Sequence, residues 1–435
     1  MFHDIRNSSS FPITMQNIIT RNNSHCIYRI LEGAKTRELF LTVVPTSNAV
    51  CKNEFQGHGQ AVPDCAEQVR SVLDQVKTVL ETERFAGSVF IQNVFMADIS
   101  KRQLVRKIMY DFYGEASPAT TYVAQPPCCG SEIAVELYAT TVDDPTLKRE
   151  RFCDKKVKVE YDGLSWLFLG DCVPAELTLG SYERSLEAFR KMESELKQSG
   201  FDVEQFFRVW LYQGHLVLPE NDTQRYKELN RARTDFFRGR KFLAPLLSKD
   251  YAGPEVYPAS TGIGTEDMDI VMSGIALSTK RADIIAVPLE NPQQTSAFDY
   301  GEVYSPQSPK FARAMGLQIG DSAKVYVSGT AGITESESRY FDDPEGQTEL
   351  TLDNIAALIS GRNLEKHGIH GFDADLSDLM VGKVYVKRAA EYERIRSICE
   401  KRCPDIPFIY TIADVCRPEL LVEIEGIAAA KRAGR

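Results

Sequence analysis

Apolar and charged residues alternate most clearly near the end of the chain, where residues 413–425 read ADVCRPELLVEIE. Leu420, Leu421, Val422 and Ile424 predict a strand, with Glu423 and Glu425 at the interleaved positions. A period of two sends both glutamates to one face of the sheet. Either that face is solvated, or the carboxyls are buried for a reason. A carboxyl half-buried among Leu and Val has its ionised form destabilised, so its pKa rises and it can act as a general acid near neutrality.

The rest of the chain repeats one order of periodicities three times. In the first copy, helical spacing over residues 62–83 precedes a strand at 88–97, a second helix at 101–112 and a closing segment at 118–139. The second copy runs strand 157–171, helix 181–200, strand 203–214, helix 223–239 and closing segment 258–278. The third runs strand 322–333, helix 345–368, strand 379–388, helix 390–403 and closing segment 407–428. The closing segments recur at intervals of about 140 to 150 residues, too long for a solenoid and suited to whole domains. This order predicts α+β units with helices on one face of a mixed sheet. The units are expected at 1–142, 155–290 and 300–435. Charged, proline-containing residues 140–155 mark the first boundary. Residues 285–310 carry four prolines, two tyrosines and little periodicity, and a long irregular stretch between regular units is more often functional than a bare tether.

A length of 435 residues exceeds one ordinary core and fits two to four domains. Charged residues at 26% and hydrophobic residues at 43% give the balance of a soluble globular protein. The net charge of −10 argues against a nucleic-acid partner, which needs a basic surface. It leaves room for a small anion, because a few local arginines reverse the potential inside a cleft. No run has the apolar length of a membrane span, and the opening MFHDIRNSSS lacks a signal-peptide pattern, so a cytoplasmic location without membrane contact is expected. The ten cysteines and the histidines His215, His367 and His370 show no metal-ligand spacing. GIGTEDMDI and SGTAG lack the lysine and the strand–helix context of a phosphate loop.

Several segments resemble a known family. VYVSGTAGI, QTELTLDNIAALI and LLVEIEGIA in the third copy resemble the RidA/YjgF superfamily, whose small proteins form trimers with active sites between subunits. Copies two and three together look like the chorismatases. The matching pieces are FFRVWLY, RYKELNRAR, YPASTGIG, NPQQTSAFDYGEVYSPQSPKFARA, VYVSGTAGI and ADVCRPELLVEIEG, and they cover most of residues 155–435. The resemblance implies three tandem RidA/YjgF-like units, with one chain supplying the three-fold packing of a trimer as a pseudo-trimer. The first copy resembles RidA units in general layout and is expected to be degenerate.

RidA-type imine hydrolysis uses an arginine in the closing segment and a glutamate in the last strand. Copy one has Thr120 at the arginine position and Glu136 at the glutamate position; copy two has no glutamate in DIVMSGIA; copy three has Glu423 but Phe408 for the arginine. The chorismatase resemblance implies a cofactor-free enzyme that cleaves the enolpyruvyl ether of chorismate, a small anionic metabolite of aromatic metabolism. Glu423 matches the family's general acid, which protonates the terminal methylene. Two substrate carboxylates need cations, and Arg313 and Arg233 are the candidates. Tyr300 and Tyr304 are further candidates, able to donate hydroxyl hydrogen bonds to the substrate while packing on its ring, and Gly329 and Thr330 of the SGT segment are candidate substrate-binding positions. Cys416 together with Gly329 resembles the branch giving 3-hydroxybenzoate rather than a dihydroxycyclohexadiene carboxylate. The alternatives are a RidA-like imine or enamine deaminase and a catalytically silent ligand-binding protein, as monomer or small homo-oligomer.

Overall fold

A computed structural model describes residues 17–22, 26–46, 64–176, 178–220, 222–248, 251, 253, 255–301 and 307–432. Three large sheets follow one another along the chain. The first holds β1 (Asn17–Asn22), β2 (Ile27–Glu32), β3 (Thr36–Val43), β4 (Val89–Met96), β5 (Ala119–Val123) and β6 (Ile133–Val142). The second holds β7 (Lys148–Phe152), β8 (Lys156–Tyr161), β9 (Leu164–Cys172), β10 (Phe206–Gly214), β11 (Ala259–Thr265) and β12 (Ile270–Thr279). The third holds β13 (Ile284–Leu289), β14 (Ala314–Ile319), β15 (Ser322–Ala331), β16 (Leu379–Val386), β17 (Phe408–Ile412) and β18 (Val422–Arg432), and the two-residue strand Phe372–Asp373 pairs with β18.

All three sheets share one topology. Their orders are β1-β2-β3-β6-β4-β5, β7-β8-β9-β12-β10-β11 and β13-β14-β15-β18-β16-β17. The last two strands in each order are parallel, joined by a helical crossover. Helices α1 (Cys65–Thr82) and α2 (Arg102–Tyr113) belong to the first unit, and α3 (Ser181–Gln198) and α4 (Arg225–Phe237) to the second. The third has α5 (Pro344–Ile359), α6 (Gly361–Lys366) and α7 (Tyr392–Arg402). Helix α1 starts at a capping box in which Asp64 accepts the Glu67 N–H (2.8 Å) and Glu67 accepts that of Asp64 (3.3 Å). Its Val69, Val72, Val76 and Leu80 are buried against the sheet at helical spacing. Among the described residues no helix is long and apolar enough to cross a membrane.

The unit differs from the sequence expectation at its front. Each sheet opens with a three-stranded meander rather than one strand. The expected strand 157–171 is two strands folded at Asp162–Gly163, both with positive φ (47° and 72°), as a two-residue Asp-Gly hairpin requires. Residues 148–152, expected in a linker, are β7, and residues 284–289 pair into the third sheet as β13. The expected helix 345–368 is divided at Ser360, whose side chain caps α6. Leu420 and Leu421 precede β18 rather than lying within it.

Each parallel edge strand packs against the next sheet. On β5, Thr120 donates its N–H to Asp154 of the second unit (2.7 Å). On β11, Ser260 donates its N–H to the Ser328 hydroxyl of β15 (2.9 Å). Thr42 of β3 donates to the Phe408 carbonyl of β17 (3.4 Å). The contacts close a cycle of first on second, second on third and third on first, so one chain forms a pseudo-trimer. Two opposed sheets meet along each seam, and the seam between the second and third units opens into a cavity.

Candidate active site

The cavity measures about 240 Å³. An apolar cavity of ~150 Å³ takes benzene, so this one has room for a six-membered ring with substituents. Helix α4 supplies Tyr226 and Asn230, β11 supplies Ser260, and β15 supplies Gly329. The irregular segment 290–313 supplies Tyr300, Phe311 and Arg313; the loop 413–421 supplies Cys416 and Arg417; β18 supplies Glu423.

Glu423 and Glu425 lie on one face of β18, both buried, and their environments drive them apart. Glu425 is saturated with donors: Arg208 Nη2 at 2.6 Å, Trp210 Nε1 at 2.7 Å, Lys383 Nζ at 2.8 Å and the Thr261 hydroxyl. Burial alone would raise its pKa, but Lys383 and Arg208 hold it ionised at about 2. Glu423, 5% exposed, has no such partners among the described residues. Burial and then the neighbouring Glu425 charge push its pKa up to about 8, against the opposing pull of Arg313 and Arg208. One carboxylate is therefore a fixed anion and the other a neutral acid facing the cavity, the separation that general-acid chemistry requires.

The walls are cationic in a chain of net charge −10. Arg313 is 4% exposed; its Nη2 donates to the Thr295 carbonyl (2.9 Å) and the Tyr300 hydroxyl, and its Nε has no partner among the described residues. Arg233 is 1% exposed and stands behind the wall, donating to Asn230 Oδ1 (2.6 Å) and Ser260 Oγ (3.5 Å). Neither is ion-paired with a carboxylate among the described residues. Glu290, whose Oε1 accepts the Arg313 backbone N–H (3.4 Å), lends Arg313 a more distant compensating charge, and a carboxylate entering the cavity would add a direct one. The Tyr300 ring lies between the Arg313 and Arg417 guanidiniums, 5.4 and 5.3 Å from its centroid.

The structure thus brings Glu423, Cys416, Arg313, Tyr300 and Gly329 to one cavity, with Arg233 one layer behind. Burial and then the Glu423 charge push the Cys416 thiol up to about 12, so it is neutral and no nucleophilic thiolate. Thr330 does not line the cavity; its hydroxyl donates to the Ser328 carbonyl (2.9 Å). Tyr304 lies outside the described residues.

Register corrects one equivalence. Glu136 pairs with Asn93 as Glu425 pairs with Lys383, so Glu136 corresponds to Glu425 and not to Glu423. The positions equivalent to Glu423 are Ala134 and Val271, opposite Phe95 and Tyr212 as Glu423 is opposite Tyr385. The three-fold repeat therefore carries this acid once. The arginine position of the RidA pattern is Thr120, Ser260 and Phe408 in the three sheets by the same register. Sequence reasoning missed Tyr226, Asn230, Arg208 and Lys383. The signal for the last two was present: each is a lone cation inside an otherwise apolar strand, in FFRVWLY and VGKVYV.

No family model matches the chain. It is 34% identical over 280 residues to a 3-hydroxybenzoate synthase of Streptomyces hygroscopicus, covering 62% of this chain and 77% of that protein. It is 35% identical over 225 residues to a chorismatase of Streptomyces rapamycinicus, covering 51% and 63%. A chorismatase crystal structure superposes with a TM-score of 0.60 at 20% identity, covering 79% of this chain and 93% of that one, which supports the fold. With 34% identity to a relative spanned over 77% of its length, the chain belongs to the chorismatase family.

Proposed function

We propose that the protein cleaves the enolpyruvyl ether of chorismate, with Glu423 as general acid. The observation that carries this reading is a neutral buried carboxyl facing a cavity that Arg313, Arg233 and Arg417 make electropositive. Chorismate is a dicarboxylate, so both features have a use. The cations hold its carboxylates, and Glu423 gives its proton to the terminal methylene, leaving an oxocarbenium-like carbon at the ether. The neighbouring ring hydroxyl then attacks the ring carbon that bears the ether: that C–O bond breaks, pyruvate leaves in its keto form, and the hydroxyl gives up its proton. The epoxide so formed opens and loses the ring proton to become the hydroxybenzoate, with no water consumed. Arg233 polarises Asn230 and Ser260, and Tyr300 is oriented by Arg313 to meet the substrate.

Pyruvate and 3-hydroxybenzoate together contain the atoms of chorismate, whereas the dihydroxycyclohexadiene carboxylate also requires one water. A neutral thiol at Cys416 and a bare backbone at Gly329 offer a water few anchors, which favours the hydroxybenzoate. The relative named 3-hydroxybenzoate synthase supports the same product. Incubation with chorismate, followed by chromatography, should give pyruvate and 3-hydroxybenzoate in equal amounts. A dihydrodiol in place of the hydroxybenzoate would move the chain to the hydrolytic branch. Unchanged chorismate, with ammonia released from an unsaturated imine, would replace this reading by the RidA one.

Gly329 is expected to tolerate no side chain. A Cβ there would overlap Glu423 Oε1 and stand 2.8 Å from its Cδ and 3.1 Å from Thr261 Cγ2. In Gly329→Ala the carboxyl must swing away from the substrate methylene. The expected kcat loss is about 100-fold, within the range of a misplaced general acid, with an unchanged circular-dichroism spectrum. Wild-type kcat in this variant would show that the acid acts from another position.

A further inference from the structure

The buried charges at the centre of the pseudo-trimer join the first unit to the site. Lys383 Nζ lies 2.8 Å from Glu425 Oε1 and 3.0 Å from Glu136 Oε2, and Glu136 belongs to β6 of the first sheet. Asn93 Nδ2 donates to the same Glu136 oxygen at 2.7 Å. Arg208 and Lys383 both lie over the Trp210 ring, 4.4 and 4.7 Å from its centroid. Arg208, Lys383 and Glu425 are each 3% exposed or less. Two carboxylates and two cations leave this cluster neutral.

We propose that the first unit takes part in proton transfer, with Glu136 acting as a positioning residue that balances Lys383 and so sets the net charge behind the general acid. The proposal rests on the chorismate-cleaving reading and goes beyond it, by giving a role to a unit that contributes no wall to the cavity. A cluster serving only to hold three sheets together would need hydrogen bonds and shape. This one ends at Glu425, two residues from Glu423 on the same face of β18. Glu425 is faced by Arg208, Lys383, Tyr212 and Tyr385, and Glu423 by Glu425, Arg313, Arg208, Cys416 and Tyr226. Withdrawing the Glu136 charge leaves Lys383 half-compensated and the cluster at net positive charge. Ionised Glu423 is then stabilised, so the acid loses its proton at lower pH. Removing Lys383 as well restores neutrality and should restore the acid.

The experiment is the pH dependence of pyruvate release for wild type, Glu136→Gln, Glu136→Asp and the double variant Glu136→Gln/Lys383→Met. A general acid must be protonated, so activity falls on the basic limb. In Glu136→Gln that limb should move down by about one pH unit, the size expected for a unit charge ~10 Å away at an effective dielectric of about 20. Glu136→Asp, which keeps the charge, and the double variant should both lie on the wild-type limb. The titration of the protonated-carboxyl infrared band lost in Glu423→Gln reads the same midpoint without turnover. It therefore tests the inference even if chorismate proves not to be the substrate, a failure that wild-type turnover alone would reveal. A Glu136→Gln midpoint equal to wild type, or a double variant displaced further than the single one, would overturn the proposal.

Discussion

Glu423→Gln is expected to stop pyruvate release while leaving chorismate binding intact. The amide has nearly the shape of the acid but no transferable proton, and a positioned general acid contributes about 10²- to 10⁴-fold. The same change should stabilise the fold at neutral and alkaline pH. The Glu423 carboxyl is raised from 4.5 to about 8 by burial and by Glu425. Between those values the folded chain holds a proton that the unfolded chain releases, so stability falls as pH rises, by about 1.4 kcal/mol per unit. The glutamine variant lacks that slope. Its advantage over wild type should be absent near pH 4 and reach on the order of 4 kcal/mol at pH 8. Denaturant unfolding of both proteins at pH 5 and pH 8 measures it, and parallel stability curves would refute a buried neutral acid.

Arg313→Met should separate binding from stability in the same direction. A charged hydrogen bond to a substrate carboxylate contributes about 1.5–3 kcal/mol, so chorismate affinity should fall by about 10- to 100-fold. The fold should lose little, because the guanidinium forms no salt bridge with a carboxylate among the described residues and methionine fills similar space without a charge. Calorimetric titration of chorismate into Glu423→Gln, with and without Arg313→Met, isolates the binding step from turnover. Equal affinities in the two proteins would remove Arg313 from the substrate site. Together the two variants portray a site kept at a cost to stability, with an acid held neutral by burial and a buried guanidinium held in place by Thr295 and Tyr300.

Much of this was legible from local pattern. Helices such as 181–198 and 225–237 follow from a period of 3.6, because one face of each is buried, and strands such as 89–96 and 379–386 follow from short, largely apolar runs that are buried along their whole length. The meanders were less legible. The strand pair 156–161 and 164–172 reads as one run, although its Asp-Gly turn was there to be recognised. The strands at 17–22, 27–32 and 36–43 precede the first helical periodicity and carry no Asp-Gly turn signal, and 284–289 carries a proline, Pro288, at an edge where no sheet partner needs its missing donor.

By itself the sequence determined the three-fold repeat, the strand carrying two glutamates on one face and the residue types gathered around them, since these depend on spacing along one chain. Resemblance singled out Glu423, and the tertiary structure supplied the physical difference between the two glutamates. Glu423 and Glu425 are the same residue type at equivalent alternation, and they differ only in what the other sheets bring to them. Lys383 from a neighbouring strand and Arg208, Trp210 and Thr261 from the second unit fix one as an anion. The other is left facing the cavity, where burial and that anion keep it protonated. Pairing register likewise aligned Glu136 with Glu425, because side-chain correspondence between repeats is set by hydrogen-bonded ladders and not by counting from a motif.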